Sequence, residues 1–359
     1  MTTMSNQKEK VIVAMSGGVD SSVAASVLLE AGYDVTGVFM CLGSAGGGEQ
    51  GSQGCCTPDD AADARRVAET LGIDLFVLNC AEAFEPIIDD FVAEYARGRT
   101  PNPCIHCNRR IKFGRLMDRA DSLGIRYIAT GHHARIVRGA GGAEAIARGL
   151  AWGKDQSYAL FEIPRGRLGR ILLPIGEIDD KDTVRSQALA LGLNVHDKPD
   201  SQEICFVPDD DYASLLQRRC PEALRTGEIV DSDGCVLGRH EGYARYTIGQ
   251  RRGLGVAAGV PMYVTRIDPA TARVTIGPRE QTLGTSLTAS GANWHADVPS
   301  EFDGTVQIRY NHRGVPGRVR LTGAESFSVE LAEPVHAITP GQAVVVYDDQ
   351  QLLGGGWID

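Results

Sequence analysis

Residues 11–32 read VIVAMSGGVDSSVAASVLLEAG, and this stretch leaves little freedom of architecture. The unbroken apolar run from Val11 to Met15 suits a strand covered on both faces, not one with a wet side. A serine–glycine turn follows at once, and then a helical pattern that stops at Gly32, a plausible C-terminal cap. The alternation continues, with strands expected at 34–40, 74–79 and 125–130 and helices at 57–72, 84–98 and 109–124. Thr57 reads as an N-cap, with Pro58 at the first helical position and Asp59 and Asp60 in the first turn. Strand–helix alternation with apolar strands predicts an α/β fold built on a doubly wound parallel sheet. Ligands of such sheets bind at the carboxyl ends of the strands.

The character changes beyond about residue 210. Glycine and β-branched residues dominate, and from about 276 short strands such as GTVQIRY, SFSVEL and QAVVVYD alternate with Gly/Pro turns. That spacing points to a small β-barrel or sandwich. The expected division is a catalytic domain over 1–209, a small central domain over 210–275 and a β-domain over 276–359. A Gly-rich loop is expected over 43–54.

No run approaches the eighteen apolar residues of a membrane span, and the N-terminal lead is too short for a signal sequence, so a cytoplasmic location is expected. Thiols there stay reduced. The nine cysteines (41, 55, 56, 80, 104, 107, 205, 220 and 235) are therefore read as inert, metal-bound or catalytic. A net charge of −10 argues against non-specific coating of nucleic acid, but local patches remain. Arg97 to Arg119 holds seven basic residues against one acid, and Gln307 to Arg320 holds four arginines, a histidine and no acid. Each patch taken alone reads first as a solvated face.

The chemistry begins at AMSGGVDSS, Ala14 to Ser22. Gly17 and Gly18 permit a tight turn, Ser16, Ser21 and Ser22 add hydroxyls, and the helix start adds its positive dipole end. This is an anion cradle, though neither a Walker A loop nor G-x-G-x-x-G. It resembles the pyrophosphatase-type loop of ATP-dependent adenylating enzymes. A second feature is NPCIHCNRR, residues 102–110, whose Cys104 and Cys107 fit a metal clip, a redox pair or half of a catalytic arrangement. Asn108 is the expected N-cap of a helix carrying Arg109, Arg110 and Lys112, and a thiol beside such a cationic helix start becomes acidic. Cys107 is on that basis a reactive thiolate. Cys205, between Ile204 and Phe206, reads alone as a buried inert thiol. Cys55 and Cys56 could complete a four-cysteine zinc site with Cys104 and Cys107.

Along nearly its whole length the chain resembles the bacterial tRNA-specific 2-thiouridylases. The matching stretches are VIVAMSGGVDSSVAA, GRTPNPCIHCNRRIKFGRL, ATGHHARI, KDQSYAL, DSQEICFV, YTIGQRRGLG and IRYNHRG. The resemblance implies an adenine nucleotide alpha hydrolase-like ATP domain, a central domain and a C-terminal β-barrel. It implies thiolation of the wobble uridine in tRNAs for Lys, Glu and Gln. ATP, with Mg²⁺ balancing its phosphates, would be held by Ala14, Met15, Ser16, Gly17, Gly18, Val19, Asp20 and Ser21, with Met40 and Gly131 near the nucleotide. It further implies a persulfide on Cys205, loaded by a persulfide-donating sulfur-relay protein or cysteine desulfurase, with Cys107 as partner thiol. Target-base contacts fall on Asn102, Pro103 and Cys104, and tRNA contacts on Lys154, Asp155, Gln156, Arg309 and Tyr310. His132 and His133 are read as shaping the nucleotide pocket.

One departure stands out. The commoner family form carries Asp where this chain has Cys104. The substitution creates a set, Cys104, Cys107 and Cys205, that could ligate an iron–sulfur cluster. Two other readings compete: an amide-forming adenylating synthetase, which has no use for paired cysteines, and a zinc-stabilised RNA-binding protein.

Overall fold

The computed structural model describes residues 8–43, 57–139, 142–200, 204–207 and 211–359. The chain divides into two units. The first comprises Met1–Glu85, Cys104–Pro208 and Gln350–Leu352, and the second Pro86–Pro103, Asp209–Asp349 and Leu353–Asp359.

The first unit is built on a five-stranded sheet. Its strands are β1 (Lys10–Ala14), β2 (Asp34–Cys41), β3 (Asp74–Asn79), β4 (Tyr127–Ala129) and β7 (Ile171–Leu172), in the order β3-β2-β1-β4-β7. All its ladders are parallel, as the apolar strands predicted. Val11, Val13 and Met15 pack with residues of helices α1 (Val19–Glu30), α2 (Pro58–Leu71) and α6 (Lys181–Ala190). Ile12, which points the other way along the strand, is equally buried, so both faces are covered. The chain leaves β1 toward β2 and β3 and returns on the far side at β4. The sheet therefore has its switch point between β1 and β4, where a crevice opens at the strand ends.

Local signals set the helix boundaries. Helix α1 ends in a left-handed Gly32 at φ 89°, with the Tyr33 N–H donating to the Leu28 carbonyl at 3.1 Å. Thr57 caps α2 through a capping box with Asp60, each side chain accepting the other's backbone N–H at 3.1 Å. Helix α3 (Ala81–Ala96) begins three residues before the expected start, because the Asn79 side chain accepts the Ala81 N–H at 3.0 Å. A hairpin of β5 (Ala134–Arg138) and β6 (Glu144–Arg148) and the short β7 have no counterpart in the sequence reading. Their strands are short, and β7 reads as part of a loop.

The largest correction concerns NPCIHCNRR. Asn108 does not cap a helix. Helix α4 (Pro103–Cys107) already encloses both cysteines, with Pro103 at its first position, and runs straight into a π-helix (Asn108–Arg115) and then α5 (Leu116–Ser122). The helix start that was to acidify Cys107 thus lies beside Cys104, one turn earlier.

The second unit contains helix α7 (Tyr212–Arg219) and two β-structures. A four-stranded sheet joins β8 (Gly227–Val230), β9 (Val236–His240), β10 (Tyr263–Asp268) and β11 (Arg273–Gly277) in the order β10-β11-β8-β9. Beyond it lie β12 (Leu283–Trp294), β13 (Glu301–Gln307), β14 (Val315–Leu321), β15 (Ser326–His336), β16 (Ala343–Asp348) and β17 (Gln351–Ile358). These run in the order β12-β15-β14-β13-β16-β17, and β17 pairs back to β12 to close a barrel. Alternate residues such as Val319, Phe327, Val329 and Val346 fill its interior. Among the described residues no helix is long and apolar enough to cross a membrane.

Candidate functional site

The turn after β1 is held in shape from within. The Ser21 hydroxyl accepts the Ser16 N–H at 3.2 Å and donates to the Gly18 carbonyl at 3.1 Å, and Ser22 donates to the same carbonyl at 2.8 Å. Gly18 occupies the N-cap position of α1 without a side-chain cap, so the helix start keeps amide donors for an outside acceptor. Gly17 has φ 76°, and a Cβ there would strike the Asp60 carbonyl oxygen of α2. The loop after β4 closes the other side. A Cβ on Gly131 would lie 2.5 Å from the Ser21 nitrogen and 2.7 Å from the Asp20 carbonyl carbon. Of the residues proposed for the nucleotide, Ala14 to Ser21 and Gly131 are therefore one contiguous structure at the switch point. Met40 sits near the end of the neighbouring β2, paired with Leu78 of β3.

Charge around this loop is organised as a chain. Asp20 accepts from His133 at 3.1 Å and from Lys181 at 2.6 Å. Lys181 also pairs with Asp200 at 2.9 Å, and Asp200 takes Lys154 at 2.8 Å. Burial pushes the Asp20 carboxyl up, but His133 and Lys181 outweigh it and hold its pKa below the usual carboxylate value. Burial likewise raises Asp200, yet Lys154 and Lys181 bring it down to about 2. Lys198 bonds Asp60 and Asp63, each at 2.7 Å, and the Gly17 carbonyl at 3.0 Å, tying the turn to α2. None of Lys181, Lys198 and Asp200 was singled out from sequence. Apart from the Lys181–Asp200 pair itself, their partners lie far along the chain, and only the Asp180–Lys181 helix start left a local sign.

The cysteine-bearing helix meets the same loop. Phe113, in the π-helix, packs its ring 5.6 Å from that of His132, next to Gly131. His132 is buried, and burial, then the charges of Lys112 and His133, hold its pKa well below the ordinary value and keep the ring neutral. Its Nδ1 lies 2.7 Å from the Thr130 hydroxyl. Behind the cysteines, buried Glu162 lies 3.0 Å from His106 Nδ1 and accepts from Arg109 at 3.4 Å. The Asn108 amide donates to the Ala159 carbonyl at 2.9 Å. Asn108 Oδ1 and His133 Nδ1 are buried with no hydrogen-bond partner among the described residues.

Cys104 is exposed, Cys107 buried and Cys205 half-buried. At a spacing of three, Cys104 and Cys107 share one helix face. Among the described residues no group of three or more His, Cys, Asp or Glu is placed to hold a metal ion. Cys104, Cys107 and Cys205 thus do not form the ligand set a cluster needs here. Cys55 and Cys56, and all but Gly43 of the 43–54 loop, lie outside the described residues.

The KDQ stretch is more buried than the sequence indicated. Only Lys154 has a largely exposed side chain, at 42%. The Asp155 carboxylate is 7% exposed and takes Arg148, the Gly149 and Ser157 amides and the Ser157 hydroxyl. The Gln156 side chain accepts the His133 N–H at 2.9 Å. In the second unit, Arg309 donates to the His336 carbonyl at 2.9 Å and Tyr310 is 44% exposed. Asn102 is half-buried and Pro103 buried.

A parallel sheet with an uncapped, glycine-built helix start at its switch point defines the class of α/β protein that holds anions there. Three family models cover the chain: tRNA methyl transferase HUP domain over 9–209, tRNA methyl transferase PRC-barrel domain over 213–278, and aminomethyltransferase beta-barrel domain over 284–358. The tRNA-specific 2-thiouridylase MnmA of Carboxydothermus hydrogenoformans is 49% identical over 358 residues, covering 98% of each chain. That of Geobacter metallireducens is 47% identical over 359 residues, covering 98% of this chain and 97% of its own. Among solved structures, a 4-thiouridine synthetase–RNA complex with bound ATP matches at a TM-score of 0.35 and 17% identity, over 60% of this chain and 51% of that one. That distant match bears no weight. The chain belongs to the tRNA-specific 2-thiouridylase family.

Proposed function

We propose that this chain is an ATP-dependent tRNA-uridine 2-sulfurtransferase, acting in the cytoplasm on the wobble uridine of tRNAs for Lys, Glu and Gln. The observation that carries this reading is the packing of the thiol-bearing helix, through Phe113 and His132, onto the β4 loop that also closes the anion cradle. Activation and sulfur transfer then occur within one unit.

The chemistry starts from a poor leaving group. Uridine O2 attacks the α-phosphate of ATP and pyrophosphate departs, its charge met by the amides at the start of α1, whose turn Lys181 and Lys198 hold in place through Asp20 and Asp60. Mg²⁺ would arrive with the nucleotide's phosphates. C2 now carries AMP, which can leave. A persulfide on Cys205, loaded by a sulfur-relay protein or cysteine desulfurase, supplies the sulfur. In one route the terminal sulfur attacks C2 and expels AMP, and the Cys107 thiolate then attacks Cys205 Sγ. The sulfur stays on C2, a Cys107–Cys205 disulfide forms, and a thiol reductant reopens it with two electrons. In the other route Cys107 releases the terminal sulfur first, as hydrosulfide, with the same disulfide formed. Cys104, with Asn102 and Pro103, borders the base. Lys154, Asp155, Gln156, Arg309 and Tyr310 serve the tRNA, Asp155 from inside the fold.

The test is thiolation of a tRNA-Glu transcript with ATP and a persulfide donor, read as 2-thiouridine by mass spectrometry. Wild-type protein forms the product, and Cys205→Ser and Cys107→Ser each abolish it. Undiminished product from Cys205→Ser would sink the mechanism.

A further inference from the structure

A chain of net charge −10 that handles a polyanion must gather its uncompensated positive charge in one place. The arginines of the second unit differ sharply in this respect. Arg318 is paired with Asp303 at 2.9 Å, Arg320 with Glu301 at 3.2 Å, and Arg273 with Glu228 at 3.1 Å. Half of the Gln307–Arg320 patch is therefore neutralised where it stands. Among the described residues, no acid pairs with Arg251, Arg252, Arg279, Arg309 or Arg313.

Two of them, Arg309 and Arg279, meet at His336. Arg309 donates to its carbonyl at 2.9 Å, and Thr282, whose hydroxyl also donates to the Arg279 carbonyl, lies 2.5 Å from its Nδ1. Burial, then the charges of Arg309 and Arg279, hold the His336 pKa below its ordinary value. Gly249 packs against the same ring, since a Cβ there would lie 3.3 Å from His336 Nε2. Gly249 opens a turn that carries Arg251 and Arg252 away from the strand. The Gln250 side chain accepts the Thr247 N–H and donates to the Arg252 carbonyl, both at 3.0 Å. The Gly249 N–H and the Val264 N–H bond across its base at 2.8 and 3.0 Å. Arg251 and Arg252 stand exposed on this pinned turn, and from Gly242 to Ile267 the chain has no acid. Glu280 and Glu333 are the acids of the adjoining segments, and neither pairs with an arginine. Tyr310, 44% exposed, comes directly after Arg309.

We infer that the Arg251–Arg252 turn, with Arg279 and Arg309 around His336, is a clamp for the sugar–phosphate backbone of a folded RNA. The inference rests on the proposed tRNA substrate and adds residues to it. A rigid turn loses little conformational entropy on binding. Guanidinium forks match phosphate oxygens, and the exposed tyrosine offers a stacking face beside them.

The experiment measures binding of a tRNA-Glu transcript across a series of KCl concentrations for wild type, Arg251→Ala/Arg252→Ala, Arg251→Lys/Arg252→Lys and Arg318→Ala, each checked for folding by thermal melting. Loss of two phosphate contacts shrinks the slope of log affinity against log salt by about 1.5–2 and weakens binding roughly tenfold or more near 0.1 M salt. The lysine pair keeps most of the slope, and Arg318→Ala keeps all of it. An unchanged slope in the double alanine variant, or an equal loss in Arg318→Ala, overturns the clamp. Thiolation by wild type with no slope change would fail the clamp alone. A slope change in a protein that forms no 2-thiouridine would fail the proposed reaction alone.

Discussion

Gly131→Ala separates the nucleotide reading from a merely structural one. Gly131 does not adopt a positive φ, so alanine is allowed by the backbone, and the constraint is proximity. The new Cβ would lie 2.5 Å from the Ser21 nitrogen, 2.7 Å from the Asp20 carbonyl carbon and 2.9 Å from the Ser21 Cα. All three are backbone atoms at the start of α1 and cannot rotate away. Restoring ordinary contact means parting the β4 loop from the helix start by about 0.9 Å. Overpacking of this kind costs about 1–3 kcal/mol. Each kcal/mol lowers the melting temperature by about 2–4 °C in a domain of about 150–250 residues. A displacement near 1 Å at reacting groups costs about 100-fold in rate. The assay is pyrophosphate release with saturating tRNA and varied ATP, beside thermal melting. Gly166→Ala is the control, because a Cβ there meets nothing within 4 Å. If Gly131→Ala melts with wild type and keeps kcat/KM for ATP, the loop does not close the cradle and the reasoning fails.

Buried groups give the other outcomes. Asp155→Asn removes the carboxylate that pairs with the Arg148 guanidinium, 4% exposed, and should cost about 3–5 kcal/mol by denaturant titration. A stable Asp155→Asn protein that has lost only tRNA affinity would contradict that placement. His132 has a folded pKa below its unfolded one, so its contribution is complete above about pH 6.5 and is lost as pH falls below it. The unfolding free energy should drop by up to about 1.4 kcal/mol per pH unit below that point, and His132→Gln should flatten the drop. Asp200, with a folded pKa of about 2, contributes above about pH 4 and loses that contribution as pH falls toward 2, an interval well clear of the histidine one.

The β1–turn–α1 unit was legible because its signals are local: five apolar residues, adjacent glycines and a helical period. The C-terminal run of short strands was legible for the same reason, although its spacing left barrel and sandwich open and closure rests on the β12–β17 pairing. What escaped the sequence depends on residues distant along the chain. Lys198 reaches Gly17, Asp60 and Asp63 across well over a hundred positions, and no pattern at Lys198 announces them. Asp155 resembles any turn aspartate until Arg148 is seen beneath it. Asn108 misled because asparagine before a cationic helical run is a good cap, and tertiary packing instead extended the helix back to Pro103.

The π-helix after Cys107 carries a further consequence. Its wide turns bring the Arg109 carbonyl so near Gly114 that a Cβ would lie 2.9 Å away. Such turns act as an insertion accommodated within a helix. In an ordinary helix each residue turns the chain by about 100°. Winding the same eight residues, Asn108–Arg115, as plain α-helix would swing the two thiols by about that angle relative to α5. The direction in which Cys104 and Cys107 point is thus set by the winding of the segment that follows them.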